Sequence, residues 1–151
     1  MSFKGKPPAG EARRVRSTGD NLCGVITNKR GRQVQFESWL ERGLILRLDR
    51  DREVLDFQSQ PETFSFVDDE GKSHRYTPDF KVWRLNGAIE IHEVTLTKRR
   101  LRVDIGRREQ AARTICLERG WRYVLHTEQT LPDSSEQANL LALAGYRPLI
   151  Y

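Results

Sequence analysis

Cysteine is scarce. Cys23 and Cys116 are the only two in 151 residues, too few for a disulfide framework or a cysteine-built zinc site, and both read as reduced thiols. Histidine is nearly as rare: His74, His92 and His126 lack zinc-like spacing and read as structural or surface residues. No apolar run approaches the ~20 residues of a membrane span, and the first residues carry none of the apolar stretch a signal peptide needs. With a mean hydropathy of −0.67, the chain is expected to be soluble and intracellular. It contains no internal repeat and no sign of a second domain.

Charge, by contrast, is abundant. Charged residues make up 31% of the chain, the net charge is +5, and such a balance invites a polyanionic partner. The excess is uneven: residues 1–32 carry +6, which leaves the remainder at −1. Met1 to about Gly19 has no periodicity and reads as a disordered basic arm, either solubilising or nucleic-acid-binding. Residues 1–20 are therefore assigned to a tail and 21–151 to one domain, a length that can bury a sizeable core.

Within that domain, Asn21 to Thr27 reads as a short edge strand. Phe36, Trp39, Leu40, Leu44, Leu46 and Leu48 recur at helical spacing, which predicts a helix from about Val34 to Leu48. Glu37 and Glu41 lie at one edge of its apolar stripe, where an acid looks along the border of the core. Val54 to Pro61 reads as an extended connection. Thr63 to Val67, a second strand leading into Tyr76 and Asp79 and continued by Phe80, Val82 and Leu85, and Ala88 to Thr95 are expected as a three-strand meander. A second helix is predicted from Lys98 to Arg119, stopped by Gly120. The strand Trp121 to His126 then joins the sheet parallel to Ala88–Thr95. Ser134 with Gln137 resembles a capping box for a last helix reaching about Ala144 and ended by Gly145.

The chemistry concentrates between Tyr76 and Thr95. Asn86-Gly87 separates two alternating apolar runs and predicts a hairpin, since both turn residues tolerate positive φ. Glu93 and Thr95 share a face of its second strand, while Asp79 starts the first strand. Paired carboxylates repel, raise a pKa or hold a divalent cation, and oxygen ligands favour Mg²⁺, Mn²⁺ or Ca²⁺. Asp79 beside Pro78 could instead only cap a turn. His92 should face away from Glu93.

Ser38-Trp39-Leu40-Glu41, Gln60-Pro61, Tyr76-Thr77-Pro78-Asp79-Phe80, Glu93-Val94-Thr95 and the strand ending His126-Thr127-Glu128 together resemble the N-terminal endonuclease domain of the TnsA transposon-end nucleases. These belong to the PD-(D/E)xK, restriction-endonuclease-like superfamily, and the resemblance runs from about Gln35 to Glu128. It implies an α/β fold with a mixed central sheet flanked by helices, core order α-β-β-β-α-β. It further implies a Mg²⁺- or Mn²⁺-dependent DNA endonuclease, with DNA as substrate and transposase or phage proteins as partners. Asp79, Glu93, Glu41 and the Val94 carbonyl would hold the metal. Thr95 stands where the family motif carries lysine, and Lys98 could reach back to replace it. The basic run Lys98-Arg99-Arg100-Leu101-Arg102, with Arg107 and Arg108, reads either as a solvated helix face or as a DNA-facing one in which Arg99, Arg100 and Arg102 contact phosphates. The alternative is a catalytically silent relative that uses the fold as a DNA-binding or protein-interaction scaffold.

Overall fold

The computed structural model describes residues 23–144. The basic arm before Gly19 and the stop at Gly145 lie outside the described residues. The order is β1 (Gly24–Thr27), β2 (Gln33–Phe36), α1 (Trp39–Arg50), β3 (Val54–Ser59), β4 (Phe64–Val67), β5 (Ser73–Tyr76), β6 (Phe80–Arg84), β7 (Ile89–Val94), a 3₁₀ segment (Thr97–Leu101), α2 (Val103–Arg119), β8 (Arg122–His126) and α3 (Ser134–Ala144).

The central sheet has the order β3-β6-β7-β8. Pairs β3/β6 and β6/β7 are antiparallel, and β8 lies parallel to β7 with Glu90 opposite Arg122 and Val94 opposite His126. The crossover from β7 to β8 runs through α2, as a parallel connection requires. The mixed α/β class and the α-β-β-β-α-β core are thus present.

The identity of the first core strand differs from expectation. Val54–Ser59 is a strand of the sheet, whereas β4 and β5 form a separate two-stranded hairpin inserted between β3 and β6. Phe57 and Val54 are fully buried, so this stretch gains more as a half of the core than as a connection. The side hairpin has its own reason to exist: Phe64 is buried with Ile91, Ala112 and Cys116, and Tyr76 packs against the same group.

Three boundaries also move. Gln33–Phe36 pairs with β1 and is no part of the helix. The helix begins after Ser38, whose Oγ accepts from the Glu41 amide at 3.1 Å, the N-cap arrangement that satisfies an otherwise orphaned donor. The long second helix is split. Arg102 is extended at ψ 137° between the 3₁₀ segment and α2, in a stretch where Lys98, Arg99, Arg100 and Arg102 crowd like charges onto successive positions. Finally, the cap of α3 is Asp133, whose Oδ1 accepts from the Glu136 amide at 2.9 Å, and the Gln137 side chain is used elsewhere.

Each face of the sheet covers its own core. On one side Phe57, Phe80 and Val82 pack with Val34, Leu40, Leu44, Ile45 and Leu48 beneath α1. On the other, Ile91 meets Ala112 and Cys116 of α2. Phe57 is fully buried at the centre of the larger cluster. Phe57→Ala is expected to cost about 3–5 kcal/mol, the usual range for emptying a buried phenylalanine site, read as a lower midpoint in urea denaturation with an unchanged slope.

Candidate active site

Alternation along β6 and β7 decides which side chains meet. Phe80 pairs with His92 and Lys81 with Ile91, so one step further Asp79 comes opposite Glu93. Phe80 and Val82 join the α1-side core, and Ile91 joins the α2-side core. Glu93 therefore points to the α2 side, and His92 to the other, as alternation predicts. Asp79 is fixed by its neighbours: its Oδ2 accepts from the Val94 amide at 2.8 Å and its carbonyl accepts from the Gln60 amide at 2.7 Å.

The turn closing this hairpin departs from the two-residue type. Arg84 donates to the Ala88 carbonyl at 2.9 Å, leaving Leu85, Asn86 and Gly87 as a three-residue loop. Only Gly87, at φ 87°, is left-handed; Asn86 is not. Asn86 acts through its side chain instead, accepting from the Ala88 amide at 2.9 Å. A two-residue Asn86-Gly87 turn would pair Leu85 with Ala88 and set Asp79 opposite Val94; the three-residue loop shifts the register by one and brings Asp79 opposite Glu93.

Glu93 is strongly perturbed. Burial and the neighbouring Asp79 charge push its carboxyl up to about 8, while the Tyr76 hydroxyl and the Arg108 charge pull it back. The Tyr76 hydroxyl lies 3.3 Å from Glu93 Oε1 and 3.2 Å from the Arg108 carbonyl oxygen. Burial and Glu93 in turn hold the Tyr76 phenol well above its ordinary range. Tyr123 sits in the same field, likewise raised by burial and Glu93, and its buried hydroxyl has no hydrogen-bond partner among the described residues.

The other expected residues are placed as follows. Glu41 is buried in the first turn of α1, where Ser38 Oγ donates to its Oε2 at 3.2 Å; the Ser-x-x-Glu spacing forms a capping interaction. Among the described residues no three His, Cys, Asp or Glu side chains form a metal-holding group, so Glu41 is not gathered with Asp79 and Glu93. Val94 offers its amide to Asp79, and its side chain packs on the α1-side core. Thr95 follows β7, bonded to the His126 carbonyl at 2.9 Å. Lys98 is exposed in the 3₁₀ segment, where its charge acts on Glu128. Arg100 pairs with Glu109 and Arg102 with Asp104; Arg99 has no ion pair among the described residues.

Three contributors were not singled out as site residues from the sequence. Tyr76 and Arg108 reach Glu93 from the side hairpin and α2. Gln60 is the third: fully buried, it holds a left-handed φ of 49°, donates its amide to Asp79, and donates Nε2 to Glu37 Oε1 at 3.2 Å. A non-glycine residue in that region is strained. Its Oε1 is buried with no hydrogen-bond partner among the described residues. The Gln60-Pro61 pair was the available signal, since proline restricts the residue before it.

Behind the site, on the opposite face, the three strands are tied laterally. His92 Nε2 bonds Glu90 Oε1 at 2.7 Å, His92 Nδ1 meets His126 Nε2 at 2.8 Å, and Arg84 Nε donates to Glu90 Oε2 at 2.9 Å. The hydrogen bond from His92 holds Glu90 down at about 2, and burial lowers His126 to about 4. These histidines are structural.

Two opposed carboxylates that resist joint ionisation offer oxygen donors only. That chemistry fits a hard divalent cation such as Mg²⁺ or Mn²⁺.

The sequence model of the TnsA-like endonuclease N-terminal domain matches residues 51–128, a span that includes Gln60, Asp79, Glu93 and Arg108 but begins after Glu41. A search of curated proteins finds no match.

Because Glu93 titrates near 8 in the fold and near 4.5 when unfolded, the folded state holds a proton that the unfolded state has lost across that window. Stability should therefore fall as pH rises from about 4.5 to about 8. Glu93→Gln is expected to raise the metal-free melting temperature above pH 8 and to leave it nearly unchanged at pH 4. Thermal melts across that range check it.

Proposed function

The chain belongs to the TnsA-like endonuclease N-terminal family, and from that premise we propose that it hydrolyses DNA phosphodiester bonds in a reaction dependent on Mg²⁺ or Mn²⁺. One observation carries the reading: Asp79 and Glu93 are opposed across the β6/β7 ladder, with Glu93 raised to about 8 by burial and by Asp79. A structural role for the pair would not explain the placement of two mutually repelling acids against the α2-side core. A cation stabilises both in their charged forms.

Asp79 is the better-oriented ligand, because the Val94 amide and the strained Gln60 hold its carboxylate and main chain in place. Glu93 is the group whose ionisation couples to ion binding, so affinity should rise as its proton is released. When bound, the ion supplies an activated water and charge neutralisation at the phosphate. DNA is the substrate that a nuclease domain of this family implies, and mobile-element DNA, from a transposon or a phage, is the context that the resemblance suggests.

Thr95 favours one second reading. A hydroxyl cannot bring a positive charge to the reacting phosphate, and the exposed Lys98 exerts its charge on Glu128, so the chain could bind DNA without cutting it. Nicking of supercoiled plasmid in Mg²⁺ or Mn²⁺ separates the two. Under the nuclease reading the wild type nicks. Asp79→Asn should lower both nicking and calorimetric Mn²⁺ affinity by roughly tenfold to a hundredfold or more, the scale of losing a group that supports a metal ion. Binding of DNA with no nicking in either metal selects the scaffold, and Mn²⁺ affinity untouched by Asp79→Asn moves any ion elsewhere.

A further inference from the structure

The side hairpin and the first turns of α2 face each other across a groove lined by Phe66, His74, Arg75, Asp104, Arg107 and Arg108. Its charge is lopsided, with three guanidiniums and a histidine against one carboxylate. Half of the sixteen arginines among the described residues are neutralised: Arg32, Arg84, Arg100, Arg102, Arg107, Arg113, Arg119 and Arg122 all have carboxylate partners. Arg75 and Arg108 are not among these eight, and the two line one groove. They stand on facing elements, both are exposed, and neither has an ion pair or a side-chain hydrogen bond among the described residues. Two arginines that share a groove and form no ion pair there are suited to an anion from outside.

The groove also leads somewhere. Tyr76, at the end of β5, places its hydroxyl between Glu93 Oε1 and the Arg108 carbonyl, so the backbone of Arg108 is one hydroxyl away from the paired acids. The Arg108 charge is felt at Glu93, whereas no lysine is among the main influences there. The wall opposite α2 is held firm: Phe66 and His74 stack with centroids 5.1 Å apart, and His74 Nε2 bonds Asp68 Oδ2 at 2.7 Å. Arg107 lies 3.9 Å from both Asp68 and Glu70 of the hairpin turn, which bridges the two walls.

We propose that this groove receives the sugar-phosphate backbone of one DNA strand, with Arg75 and Arg108 each engaging a phosphate and Arg108 supplying the positive charge beside Glu93 that Thr95 and Lys98 do not. Guanidinium forks match phosphate oxygens in geometry and charge. The Tyr76 hydroxyl joins the Arg108 carbonyl to Glu93 Oε1, so a phosphate held by Arg108 lies on the approach to the paired acids. The assignment builds on the nuclease reading, but its central claim, phosphate contact by these two arginines, is measurable without cleavage.

The experiment measures affinity for a fluorescent duplex by anisotropy over a range of salt, without divalent metal, for wild type, Arg75→Ala/Arg108→Ala and Arg50→Ala/Arg52→Ala. The last pair removes equal charge from exposed positions at the far end of α1. Each phosphate contact contributes about 0.9 to the slope of log affinity against log salt. The groove double variant should lose roughly 1.8, and the control pair little. In parallel, single-turnover cleavage should slow by on the order of 10²–10³-fold in Arg108→Ala and recover in part in Arg108→Lys. A slope unchanged in the groove variant, or reduced equally in the control, overturns the proposal. If the wild type fails to cut, the nuclease reading falls, and the salt slope still decides whether the groove holds phosphate.

Discussion

Everything at the site depends on the register of β6 against β7. Side chains alternate along a strand with a period of two, so a slip by one residue would place His92, not Glu93, on the face of Asp79. Three local features prevent it. Gly87 takes the left-handed conformation, Asn86 caps the loop through its side chain, and Phe80 and Val82 can be buried beneath α1 in only one register. At the other end of the ladder the Val94 amide locks onto Asp79. The same alternation that sends Ile91 into the α2-side core carries Glu93 there as well, and the repulsion between the acids follows from packing that the fold cannot relinquish.

This explains what the sequence disclosed and what it concealed. Asp79, Glu93 and the parallel return of β8 were legible because each rests on short-range periodicity plus one topological rule. Val54–Ser59 was obscured by Asp56 and Gln58, which interrupt its apolar pattern. Gln58 is nevertheless buried, and Asp56 is met by Asn28 and Arg32 from the β1-β2 turn. Such partnering across 24–28 residues of chain has no local signature. The helix predicted to begin at Val34 failed for a related reason: a four-residue strand adjoining a helix can continue its spacing by chance, and only the pairing with Gly24–Thr27 reveals it. Tyr76 and Arg108 were hidden because their roles come from the side hairpin folding against α2, a tertiary event.

The inserted hairpin changes the character of the sheet's α2 side. Without it, Glu93 would lie beneath a single helix, open at one flank. With Phe64 and Tyr76 packed against Ala112 and Cys116, the acid is walled on two sides and drawn out of water, which is the main cause of its displaced titration. Burial and electrostatics at this site are one design: the apolar residues that complete the smaller core also make the carboxylate pair costly to charge, and therefore responsive to any cation.

At the far side of the molecule, α3 is held to α1 by a different kind of attachment. Gln137 is 1% exposed; its Nε2 donates to the carbonyls of Trp39 and Pro132 at 3.0 Å each, and its Oε1 accepts from Arg42 Nε at 2.8 Å. It fits only because Gly43 lacks a side chain, since a Cβ there would come within 2.8 Å of Nε2. An oily interface tolerates rotation and sliding, but a primary amide whose two ends read two acceptors and a donor does not. The angular setting of the last helix is consequently keyed by one residue and its glycine socket, so these two positions are free to vary only in concert.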